Sequence, residues 1–109
     1  MAESKIPMKP MYGWEVHHLA TGFDQYVNRD AKIAVIILDG FDVIWDGGTH
    51  NAGNSYIAPT QAIHALVSRS GNTPAVFRVQ SNTDCSLMSN DLGAYVTGKI
   101  YGVIWYPTN

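Results

Sequence analysis

Val, Ile and Thr contribute 25 of the 109 residues, against five Leu, two Glu and four Lys. Side chains branched at Cβ are stiff about χ1 and sit well on a pleated surface, whereas Leu, Glu and Lys are the usual fillers of helices. Ten Gly, five Pro and seven Asn provide the reversals that many short strands need. An all-β fold follows, with its short strands arranged as a sandwich or a barrel.

The order of residues supports this. Tyr12–Leu19 reads as a first strand, with a turn at Ala20-Thr21-Gly22. Phe23–Asn28 follows, alternating Phe23, Gln25 and Val27 with Asp24, Tyr26 and Asn28. Lys32–Leu38 and Phe41–Trp45 flank Asp39-Gly40, a pair favoured in two-residue hairpin turns, so a tight hairpin is expected there. Thr73–Gln80, Cys85–Met88 and Lys99–Tyr106 complete the strands, roughly seven to nine at ~10-residue spacing. Thr60–Gly71 fits two patterns. Thr60 and Gly71 would cap a helix with Ile63, Leu66 and Val67 on one face, while Ile63, Ala65 and Val67 would line a strand. Residues 1–11 have neither period and read as an arm or leader, leaving 12–109 as one domain.

Composition excludes several classes. The net charge of −2 carries no basic run, so nucleic acid is not an expected partner. Cys85 is the only cysteine, which rules out a disulfide-stapled scaffold. No apolar run nears the ~20 residues of a membrane helix, and the opening residues lack a secretory signal's apolar core. Membrane insertion is therefore not expected.

Catalytic spacing is equally hard to find. His17 and His18 are adjacent and would point to opposite faces of a strand. His50 and His64 stand apart, and no metal-binding spacing is present, so neither metal nor cofactor is expected. Cys85 lacks any nucleophile signature and reads as a buried, inert thiol. Asp39, Asp42 and Asp46 are close in sequence, but a turn and a solvated strand face explain the first two. No enzyme is expected.

Binding is the better expectation. Three Trp and six Tyr are generous for this length, and aromatic faces take the apolar faces of sugars while Asn, Asp and His bond their hydroxyls. The polar stretch Asp46–Ser55 reads as a loop that gathers Asp46, His50, Asn51 and Asn54 between Trp45 and Tyr56. Those six residues form the expected ligand site. Trp14 and Trp105 are expected in the core or at a subunit seam. The strand Ile33–Leu38 is apolar on both faces, so one face is expected to meet a partner subunit through Ile33, Val35, Ile36 and Ile37.

The second half, about residues 31–109, carries Gly48-Thr49, Gly53, Tyr56-Ile57-Ala58-Pro59-Thr60 and the close Gly102-Val103-Ile104-Trp105-Tyr106-Pro107-Thr108-Asn109. In these pieces it resembles the C-terminal head domains of bacteriophage tail fibres and baseplate receptor-binding proteins. The resemblance implies an antiparallel β-sandwich of jelly-roll type, a non-catalytic homotrimer that sits on the virion beside other virion proteins. It implies a host-surface glycan or protein as ligand, and it tips Thr60–Gly71 towards strand. Such heads normally follow a long shaft, which this sequence lacks. An excised head or a short structural subunit that decorates a capsid would each fit.

Overall fold

The computed structural model describes residues 13–45, 49–69, 73–88 and 96–109. They form eight strands and no helix: β1 (Trp14–Ala20), β2 (Phe23–Asn28), β3 (Ile33–Trp45), β4 (Thr49–Asn54), β5 (Ile63–Arg69), β6 (Thr73–Val79), β7 (Asp84–Met88) and β8 (Val96–Pro107). All pair antiparallel in a single sheet of order β1-β2-β3-β8-β5-β6-β7-β4. The sheet curls over on itself into a nearly closed, barrel-like sandwich. The all-β expectation holds, and residues 63–69 are strand, not helix, with Val67 buried and His64 and Leu66 facing out. The arm at 1–11 lies outside the described residues.

Period-two burial shows how the sequence builds the core. In β2, Phe23, Gln25 and Val27 face inward, and in β3 Ala34, Ile36 and Leu38 do so from the paired positions. Phe77, Val79, Leu87, Ile100 and Ile104 meet them from the other strands. Phe23 packs edge-on to Phe41 and Phe77, with ring centres 5.1 and 6.0 Å away. Fully burying one such side chain stabilises by about 1.5–3 kcal/mol. Ile36, expected at a subunit interface, belongs instead to this inner row and is wholly buried within its own chain. Ile33, Val35 and Ile37 lie on the opposite face, as alternation along a strand requires, but there Val35 too is buried within its own chain and Ile33 and Ile37 are half-buried.

Two local expectations are overturned. Asp39-Gly40 does not turn a hairpin, because β3 runs unbroken from Ile33 to Trp45. β8 offers one long partner for both halves of β3, and Gly40 is the extra residue of a bulge between the pairs Asp39↔Tyr101 and Phe41↔Ile100. Gly40 has φ 78°, a left-handed conformation that serves a bulge as well as a tight turn. The dipeptide alone could not separate the two. The second correction concerns Asp46–Ser55, expected as a loop. Residues 46–48 lie outside the described residues, and Thr49–Asn54 is β4, an edge strand paired with β7. Its polarity is that of a strand on the rim of the sheet, where partial pairing suffices.

The turn between β1 and β2 docks on the β3 bulge. Gly22 has φ 80°, and its carbonyl accepts a hydrogen bond from the Asp39 amide at 2.9 Å. A Cβ on Gly22 would lie 2.8 Å from Asp39 O, Gly40 C and Phe41 N, so backbone meets backbone here with no room for a side chain.

Candidate functional site

Tyr56 is the centre of the most structured group of exposed polar and aromatic side chains. β1 is an edge strand, and its Glu15 and His17 share a face with Val27 and Gln25 of β2 through the pairs Glu15↔Val27 and His17↔Gln25. Beyond the core, that face is covered by the segment leading from β4. The Tyr56 ring stacks on His17 with centres 3.5 Å apart and planes 13° from parallel. Arg29, at the end of β2, donates from Nη2 to the Tyr56 hydroxyl at 3.2 Å, with its guanidinium carbon 5.8 Å from the ring centre. The same guanidinium donates from Nε to Glu15 Oε2 at 2.5 Å and from Nη2 to Oε1 at 3.4 Å. His17 Nε2 is 2.9 Å from Glu15 Oε1. The Arg29 hydrogen bond, then that from His17, holds the Glu15 carboxyl below its ordinary range. Glu15 is therefore a charged acceptor at neutral pH, and Arg29 is its fixed donor.

A buried polar network fixes the backbone beneath the ring. Gln25 is fully buried, and its Oε1 accepts from the Tyr56 amide at 2.8 Å and the Ile57 amide at 3.3 Å. Its Nε2 donates to the Tyr106 hydroxyl at 2.6 Å, which donates in turn to the Ile57 carbonyl at 2.6 Å. Ser55 Oγ donates to the same carbonyl at 3.0 Å, and the Ser55 amide donates to Thr83 O at 2.9 Å. Further on, Thr60 N donates to Pro107 O, so the segment is pinned along the end of β8. Tyr56 is thus a rigid feature with 45% of its surface exposed.

The six residues expected to form one site do not come together as such. Asp46 lies outside the described residues. Trp45 ends β3 opposite Val96, and His50 pairs with Leu87. Asn51 is exposed, and its Oδ1 accepts from the Gly53 amide at 2.9 Å, which shapes the β4 bulge. Asn54 donates to Thr83 Oγ1 at 3.2 Å and Asp84 Oδ1 at 2.9 Å, so it fastens β4 to β7. Tyr56 faces other partners, of which Glu15, His17 and Arg29 escaped sequence reasoning. One signal was there to find: Gln25 is the lone polar residue in the inward row Phe23-Gln25-Val27, and a buried amide needs partners.

The remaining candidates have structural partners. His18 bonds Asp24 at 2.6 Å on the face opposite His17, as adjacency on a strand requires. Asp42 lies 3.4 Å from Lys99, its cross-strand neighbour. Among the described residues no three His, Cys, Asp or Glu side chains come together as a metal site, and no helix is long and apolar enough to cross a membrane.

Cys85 is buried, and burial pushes its thiol from an ordinary 9.0 up to about 12. An unfolded chain would lose that proton near 9.0, while the folded chain keeps it. The resulting stabilisation is complete below 9.0 and lost as pH rises towards 12. Native protein at neutral pH is expected to react with iodoacetamide roughly a thousandfold more slowly than unfolded protein, from the thiolate fraction alone. Alkylation at the unfolded rate would contradict a closed site.

No family model, no curated protein and no solved structure matches this chain.

Proposed function

We propose that this chain is a non-catalytic attachment module of a virion, the head of a phage tail fibre or baseplate protein, which acts as a homotrimer and binds a host-surface glycan. The observation that carries this reading is Tyr56: an aromatic ring, half in solvent, braced from behind by His17 and from below by the Gln25 network. Sugar rings lay their C–H faces on such platforms, and charged groups beside the ring bond the hydroxyls. Glu15 supplies acceptors and Arg29 donors on the same rim. A site this shallow binds one sugar weakly, and three copies in one particle raise the effective concentration.

A glycan array with native protein and Tyr56→Ala tests the reading. Native protein is expected to bind, and the variant to lose at least about tenfold in affinity, as for truncating an aromatic anchor. Its melting temperature should fall by only a few degrees, since the lost stacking is worth about 0.5–1.5 kcal/mol. Equal binding by both proteins would remove Tyr56 from the site. If native protein binds no glycan and no host cell, the second reading takes over: a structural subunit that decorates a capsid.

A further inference from the structure

We infer that copies of this chain associate through the outer face of the β3–β8 pair, with Trp105 and Val103 at the centre of the contact. Pairing places Val35 opposite Trp105 and Ile37 opposite Val103, all on the face that points away from the core. Trp105 is 63% exposed, Val103 53% and Tyr101 41%. The first of these was expected in a core or seam, and the core does not hold it. These three side chains alone leave on the order of 300 Å² in water, taking ~150–250 Å² for a whole aromatic side chain. Ile33 and Ile37, half-buried beside them, widen the patch further. A monomer's largest apolar patch is ordinarily about 300–600 Å² and is often functional.

The occupant follows from the chemistry of the face. A stable interface covers about 800 Å² per partner, and in homodimers roughly two-thirds of that is apolar, so this patch is the right size for the centre of one. Val103 and Trp105 stand exposed at its middle beside a buried Val35, with Ile33 and Ile37 half-buried, while Asp24, opposite Ile37, and Asp39, opposite Tyr101, set acidic groups at its margin. Those acids repel nucleic acid, and the apolar centre gives a charged partner little to pair with. A second copy offers an apolar centre of the same kind, and it is present at equal concentration wherever the chain is made. Most soluble oligomers are built this way. The inference does not depend on what Tyr56 binds.

Sedimentation of the native chain at micromolar concentration, beside Trp105→Glu and Val103→Glu, is the test. The native chain is expected at twice 12.0 kDa or a higher multiple. Each Glu variant is expected at the monomer mass with an unchanged circular dichroism spectrum, because the substituted side chain is mostly in solvent. Should a Glu variant lose its fold, Trp105→Ala and Val103→Ala decide, each expected to weaken association by about tenfold or more. A native chain that stays monomeric across the micromolar range overturns the inference. So does undiminished association of the Ala variants.

Discussion

Gly22→Ala is expected to destabilise this protein by about 3 kcal/mol or more, and Gly40→Ala by only about 1 kcal/mol. Both glycines have left-handed backbones, with φ of 80° and 78°, so both substitutions bear the same ~1 kcal/mol conformational cost. Their surroundings differ. A Cβ at Gly40 would meet only the Lys99 and Tyr101 side chains, at 3.7–3.8 Å, an ordinary contact. At Gly22 it would press on three backbone atoms at 2.8 Å, none of which can swing away. Relief requires the turn to lift from the bulge, which breaks the Asp39–Gly22 hydrogen bond. A domain of this size is stable by roughly 5–15 kcal/mol, so the loss would be visible as a fall of ten degrees or more in melting temperature. Urea denaturation of the two variants side by side measures the difference. Equal losses would mean that the docked turn yields without strain.

Gln25→Leu should be the most damaging polar-to-apolar change in the protein. Leucine fills similar space but leaves the Tyr56 and Ile57 amides without their acceptor, and the Tyr106 hydroxyl without its donor. Orphaning a buried group costs about 1–3 kcal/mol, so a loss of ~2–5 kcal/mol is expected. Gln25→Glu separates geometry from charge. The carboxyl retains the two acceptor contacts, yet burial favours its protonated form, which can also donate to Tyr106. Its folded pKa is then raised, so the variant should approach native stability at low pH and lose it as pH rises. Thermal melts across pH would show this slope. A pH-independent loss in Gln25→Glu would mean that water reaches the amide and that the network is not closed.

Much of the fold was legible because β-strands announce themselves by alternation. β2 stands out in sequence because Phe23, Gln25 and Val27 must share a face, and the β5 segment was ambiguous only because Ile63 and Val67 satisfy both periods, with Leu66 completing a helical stripe and Ala65 a strand row. What sequence could not supply was pairing. Asp39-Gly40 has the local chemistry of a hairpin, and only the distant β8, some sixty residues on, makes it a bulge. Likewise, Asn51 and Asn54 looked like ligand groups in a loop, but β7 turns that stretch into an edge strand whose amides shape and tie the sheet. The Tyr56 cluster assembles Glu15, His17 and Arg29 from around a different turn. No spacing along the chain encodes that meeting, since it depends on the sheet curling far enough for the segment after β4 to lie over β1.

The end-to-end pairing of β3 with β8 also sets a timetable. β1, β2 and β3 can form a meander by closing short loops, a matter of microseconds. That meander has Ala34, Ile36 and Leu38 bare on one side and Val35 and Ile37 on the other. It cannot be capped until residues 96–107 have been synthesised and have found their register across a loop of about fifty residues. Long-range pairing of this sort slows folding and keeps an apolar strand available to neighbouring chains. On a ribosome making ~5–20 residues per second, β3 therefore waits for several seconds as an open edge. Crowded polysomes, then, are where this protein is most exposed to wrong pairings, and weaker initiation, which spaces ribosomes apart without slowing elongation, is the condition under which β8 should reach β3 first.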